Sequence, residues 1–331
     1  MNNLILLSER PEDIEFFKKI SDINKFNLLI VDNLKDFLKL YAVTPSALVA
    51  WDADHPNGMD QNHPYSLQSV RFILFKAVPA VKAFAITDLP LNLLPDNPKS
   101  SFLVDYPQHN LIRQYNDITL QTYSNFFKGF FNKNLYNFKS FFPEQTKIQE
   151  ILLTDSTHRL AAVEAINSFL AKSAVEKRLA AKVAQATDEL LMNAIFDAPV
   201  ENGMRVKHLL SRNVQFPLPD GYNVKLEFAI TENYCGIAVT DLYGSVECDS
   251  IANSLRQNYR KEDYKLKYST YNAGLGLYSV VQGGISLIIC YDQEKMTKAM
   301  IFFPNTKSYK AFKNSFQITA VVNNSALKAA L

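Results

Sequence analysis

Five short apolar runs, at residues 4–7, 26–31, 47–51, 83–86 and 102–104, punctuate the first 130 residues, with amphipathic stretches between them. Runs this short, alternating with helical patterns, are the signature of buried strands joined by crossover helices, so a parallel, doubly wound α/β sheet of five strands is expected. Between the first two runs, Pro11 suits a first helical turn, and Glu12 and Asp13 suit the positive end of a helix dipole. Residues 33–41, 65–75 and 110–127 supply further helical patterns.

Around residues 126–143 the texture changes. Phe126, Phe127, Phe130, Phe131, Phe138, Phe141 and Phe142 crowd among Lys and Asn without a clean period. Such a density of phenylalanine marks a domain junction, an inter-domain or dimer contact rather than a ligand pocket. Beyond it, 148–153 reads as a strand, and 157–172 and 175–196 read as helices. Val224, Leu226, Phe228 and Ile230 then alternate with Lys225, Glu227 and Ala229, the period of a strand. Residues 236–240 complete a hairpin with it, and 285–291 with 298–303 form a second apolar pair. The expected second domain is α+β, helices on a mostly antiparallel sheet. Division falls at 1–128, a Phe-rich linker 129–146, a second domain 147–306 and an extension 307–331, for which tail and edge strand both stay open.

Composition narrows the function classes. With 47% apolar and 21% charged residues among 331, the chain has globular composition and room for two domains. Its 35 basic and 33 acidic side chains leave +2, which argues against a nucleic-acid or anionic-membrane surface. No window approaches the roughly 18–20 apolar residues of a membrane span. Cys235, Cys248 and Cys290 are odd in number and show no C-x-x-C spacing, which fits a reducing cytoplasm and no zinc site.

Four short motifs carry the chemistry. In Asp188-Glu189-Leu190-Leu191-Met192-Asn193-Ala194, Glu189 and Asn193 stand four apart and project from one helix face. The Asn193 oxygen suits Mg²⁺, and Glu189 could orient or deprotonate an attacking hydroxyl. In Ile237-Ala238-Val239-Thr240-Asp241-Leu242-Tyr243-Gly244, a carboxylate closes an apolar strand and Gly244 follows. Asp241 can accept a hydrogen bond from an adenine amino group. In Asn272-Ala273-Gly274-Leu275-Gly276-Leu277, two glycines before a helical pattern expose backbone N–H groups to phosphate. Thr297, on the last strand, offers a hydroxyl to phosphate or adenine.

In this order, the four resemble the N box, two glycine boxes and terminal threonine strand of the GHKL (Bergerat-fold) ATP-binding domains, over roughly residues 147–304. The lead-in Leu153-Thr154-Asp155-Ser156, with Arg159, Ala162-Val163 and Phe169-Leu170, looks most like the anti-sigma-factor serine kinases, and less like histidine kinases. His158 is followed by Arg159 rather than an acidic residue, which speaks against a phosphoacceptor histidine. The resemblance implies a Bergerat sandwich binding ATP and Mg²⁺, with Glu189 the general base, Asn193 the Mg²⁺ ligand, Asp241 the adenine reader and Gly274 to Leu277 the phosphate turn. Residues 245–271 would be a lid. Two departures stand out: Tyr243 occupies the place of the glycine two after Asp241, and Asp197 stands where the anti-sigma kinases carry a basic residue or histidine.

The N-terminal half resembles a response-regulator receiver domain. Asp52 ends the third run with the spacing of a phosphoacceptor, and Thr87 ends the fourth where receivers carry a switch hydroxyl. Ser8-Glu9 replaces the acidic pair, and Tyr106-Pro107 replaces Lys-Pro, so a degenerate receiver is expected, with Asp52 not phosphorylated and Asp54 a solvated loop residue. The whole reads as a cytoplasmic bacterial signalling protein of the two-component kind: a pseudo-receiver fused to a Mg·ATP-binding domain, dimeric, acting on a regulatory protein partner. It is either a serine kinase or a catalytically silent, nucleotide-gated switch.

Overall fold

The computed structural model describes residues 2–54, 77–79, 82–90, 109–131, 135–201, 203, 215–245, 277, 280–281, 283–292, 295–323 and 325–326. Its strands are β1 (Asn3–Leu7), β2 (Asn27–Val31), β3 (Leu48–Asp52), β4 (Ala83–Thr87), β5 (His109–Ile112), β6 (Gln149–Leu153), β7 (Val224–Ile230), β8 (Tyr234–Asp241), β9 (Ser286–Asp292), β10 (Met296–Pro304) and β11 (Ile318–Asn323). All eleven belong to one sheet, in the order β2-β1-β3-β4-β5-β11-β9-β10-β8-β7-β6. This overturns the expected pairing of a receiver-like doubly wound domain with a separate Bergerat sandwich, because strands from both halves hydrogen-bond in one mixed sheet.

The seam is β11. It pairs antiparallel with β5 through Ile318–Leu111 and Thr319–Asn110, and parallel with β9 from Thr319–Leu287 to Asn323–Tyr291. The extension 307–331, with its tail and edge-strand readings, therefore supplies a central strand. Ile318, Ala320 and Val322 are buried together on the phenylalanine face, while the strand's two edges are both paired, as an internal strand requires. The Tyr123 hydroxyl donates across the seam, 2.8 Å from Ile112 O with Gln317 O at 3.1 Å. A further difference concerns β5: the buried strand His109–Ile112 overlaps the start of the stretch 110–127 that its periodicity assigns to a helix, and the helix starts only at Asp117. The strand is four residues long and opens with polar His109 and Asn110, which leaves too short an apolar run to betray it. The expected strand at 102–104 and helix at 65–75 lie outside the described residues.

Helices cover both faces. One side carries α1 (Pro11–Asn24), α3 (Asp117–Phe131) and a 3₁₀ turn, Phe138–Phe141. Against it pack Leu4, Leu6, Phe84, Ile86, Ile288, Met300, Phe302, Ala320 and Val322, residues of both halves of the sheet. The phenylalanine-rich stretch is this layer: Phe126 lies 5.9 Å from Phe84 of β4 and 6.3 Å from Phe141, which lies 5.3 Å from Phe302 of β10. Its rings are buried, so it joins the two halves within one chain. The other side carries α2 (Leu34–Val43), α4 (His158–Ala171) and α5 (Lys177–Met192), over Ile5, Val49, Trp51, Ile237, Val239, Ile301 and Phe303. Two short helices, α6 (Ala198–Glu201) and α7 (Tyr309–Lys313), complete the described set.

Phe126→Ala is expected to lower stability by about 3–5 kcal/mol, the usual cost of emptying a buried phenylalanine site. Because the ring layer spans both halves, near-UV and far-UV circular dichroism should still report one coincident denaturant transition. Two separated transitions would show that the halves are independent.

Candidate functional site

Successive residues of a strand point to opposite faces, so the helix-facing row of β8 runs through Ile237 and Val239 and ends at Asp241. On β10 the matching row runs through Phe303 and Ile301 to Thr297, and the register sets Thr297 directly opposite Asp241. Both are buried, at 5% and 6% exposure. An apolar strand thus ends in a polar pair beneath the helical layer.

Asp241 is built into the turn that follows it. Its Oδ1 accepts from Tyr243 N at 3.0 Å and Gly244 N at 3.4 Å. Gly244 takes φ +59°, and a Cβ there would collide with Asp292 O, Lys295 N and Met296 N, so the position demands glycine. Tyr243, the departure from a second glycine, is fully buried and stacks on Tyr222 at 4.8 Å. The Thr297 hydroxyl has no hydrogen-bond partner among the described residues. A buried, unpartnered hydroxyl is costly and stands ready for a ligand atom.

On the same face of the sheet, α5 packs against β8. Glu176 caps the helix, its carboxylate accepting from Arg178 N and Leu179 N. Arg159 of α4 forms an ion pair with Asp188, which ties the two helices together. At its far end the helix widens into a π turn, Asn193–Asp197, in which Ala198 N donates to Asn193 O. Such turns are rare and recur at functional sites. Glu189 and Asn193, one turn apart and partly exposed, sit where α5 and the π turn both pack against β8. The structure therefore places Glu189 and Asn193 on the helical stretch that packs against β8, the strand that ends at Asp241. Leu277 is buried in the same helix-side core, and Gly274, Leu275, Gly276 and most of the expected lid lie outside the described residues.

A second polar cluster stands where the parallel strands end. Both carboxylate oxygens of Asp52 are engaged: Oδ1 accepts from Arg113 Nη2 at 2.5 Å and from Asp54 N at 3.0 Å, and Oδ2 from Arg10 Nε at 2.8 Å. Arg113, 8% exposed, also donates to Asp13 Oδ1 at 2.8 Å and Asp54 Oδ2 at 3.1 Å, and pairs with Asp88 at 2.9 Å. Burial opposes its charge, but the Asp13 hydrogen bond and the fields of Asp52 and Asp13 outweigh that, and its pKa is raised. Asp54 is no solvated loop residue, since it accepts from Thr87 Oγ1 at 3.0 Å and from Asp88 N, and burial raises its pKa. The sequence gives no sign of Arg113, because it follows β5, the strand hidden by its polar start. Cys235 and Cys290 are buried with thiols pushed up to about 12 by desolvation, which makes them inert core residues.

Arg113→Ala should cost about 3–5 kcal/mol, because it leaves buried carboxylates uncompensated. Urea titration checks this, and a loss under 1 kcal/mol would show the cluster to be solvated. Gly244→Ala should lower the melting temperature by several degrees through backbone collision and strain, worth about 1–3 kcal/mol. An unchanged melting temperature would mean that the turn adopts another conformation.

No family model matches this chain, and no curated protein is similar to it in sequence.

Proposed function

We propose that the chain binds Mg·ATP on the helix-covered face of β8 and β10 and serves as a cytoplasmic signalling protein acting on a regulatory protein partner. The observation that carries this reading is the buried Asp241–Thr297 pair, with its unpartnered hydroxyl, at the end of a strand against which the helix bearing Glu189 and the π turn bearing Asn193 both pack. Asp241 would accept from the adenine amino group, Asn193 would hold Mg²⁺ through its side-chain oxygen, and Thr297 would donate to the nucleotide. A phosphoryl transfer would need little beyond positioning and charge stabilisation, with Glu189 directing the attacking hydroxyl of a partner's serine. The reading rests on these residues and their motif order, not on a two-domain architecture. Among the described residues, no helix is long and apolar enough to cross a membrane.

The buried, stacked Tyr243 favours a second reading, a switch in which nucleotide alters a protein interface without turnover. It fills with an aromatic ring the place where a second glycine would let the backbone approach the ligand. Homodimerisation would suit either role.

Titration calorimetry of the full chain with Mg·ATP is expected to show saturable binding. Asn193→Ala should weaken it at least about tenfold, as loss of a metal-organising group does, while Glu189→Ala keeps binding and abolishes transfer of labelled γ-phosphate. Absence of any binding heat with Mg²⁺ present would sink the proposal. Binding without transfer in the wild type as well would decide for the switch.

A further inference from the structure

On the opposite face of the sheet, a cleft of about 640 Å³ opens beside β7 and edge strand β6, lined in part by Tyr136, Lys139, Lys147, Glu150, Lys225 and Glu227. Its volume lies in the range of small-molecule sites. A relay of charges forms its floor. Lys298, 3% exposed, approaches Glu227 Oε2 at 2.5 Å and donates to Tyr136 O at 2.7 Å. Glu227 Oε1 in turn holds Lys225 at 3.1 Å, and Glu150 holds the same ammonium at 3.4 Å. Both glutamates are thereby spent on Lys225 and Lys298. Lys139 and Lys147 form no ion pair among the described residues, and the buried Tyr136 hydroxyl has no hydrogen-bond partner there.

We propose that this cleft binds a small phosphate-bearing anion, held by Lys139 and Lys147 over a floor in which Lys225 and Lys298 neutralise the two glutamates. Three lining lysines against two glutamates leave one net positive charge, and Lys298 behind them adds another. Lysine ammoniums are flexible point charges that bind phosphate without the fixed fork of an arginine, and the described lining residues that carry positive charge are all lysines. The site stands back to back with the Asp241–Thr297 pair: Thr240 and Lys298, the next residues along each strand, face the cleft side and are paired in register. It does not depend on the nucleotide reading.

Calorimetric titration of the full chain with sodium pyrophosphate, in EDTA and low salt, tests the proposal. Saturable binding is expected in the wild type and in Asn193→Ala, with at least tenfold loss in the Lys139→Gln/Lys147→Gln double variant. Both lysines are exposed, so the double variant should fold, which its circular dichroism verifies. Four results would each overturn the proposal: no binding, binding unchanged in the double variant, binding lost in Asn193→Ala, or an equal effect from sodium chloride at matched ionic strength. Equal affinity for citrate would overturn the phosphate assignment.

Discussion

A half-sheet that ends in an unpaired strand exposes a row of backbone donors and acceptors, and burying such a row without partners is prohibitive. Here β5 on one side and β9 on the other would both present that problem, and β11 resolves it by pairing with both. It runs antiparallel to one neighbour and parallel to the other, so the all-parallel order of β2-β1-β3-β4-β5 passes into the mixed order beyond. Everything else follows from that seam. The phenylalanine layer lies across both halves because the surface beneath it is continuous, and the only edges left in the described sheet are β2 and β6.

Continuity of the sheet also sorts polar chemistry by face. On β8 and β10, odd-numbered positions look toward α4 and α5, and even-numbered positions look toward the phenylalanine side and the Lys225–Glu227 cleft. Asp241 and Thr297 fall in the first set, Thr240 and Lys298 in the second. One strand thickness separates two sites of opposite character: a carboxylate and hydroxyl on the helix-covered face, and an ion-pair relay under lysines. The π turn at Asn193 shifts the helix where it crosses β8, which sets Asn193 apart from the regular helix that carries Glu189.

Arg113 shows how a charged cluster can be closed to chemistry. Four aspartates surround it, yet both oxygens of Asp52 are already engaged by hydrogen bonds. A guanidinium with its fixed fork satisfies carboxylates in the directions that a mobile cation would otherwise bridge. The cluster works as a structural clamp between α1, the ends of β3 and β4, and the segment after β5.

Local periodicity determined much of the chain by itself. The strands β1 to β4, the helices α1, α2, α4 and α5, and the β7–β8 and β9–β10 hairpins are written in apolar spacing, since each is set by which residues within a few positions must be buried together. Motif order likewise singles out Glu189, Asn193, Asp241 and Thr297 in the sequence, whereas the need for glycine at Gly244 comes from the folded turn and the strand-end backbone packed against it. Pairing between distant segments was not. Nothing within residues 318–323 says that both their edges will be covered, so an internal strand reads equally as a tail or an edge strand, and two expected domains share one sheet. His109–Ile112 reads as helix because four residues hold too little pattern, and with it went the sign of Arg113, whose partners lie as far as 100 positions away in sequence. Periodicity reports which face of a segment avoids water; which strand lies beside it, and which charges meet there, is decided by contacts that only the folded chain creates.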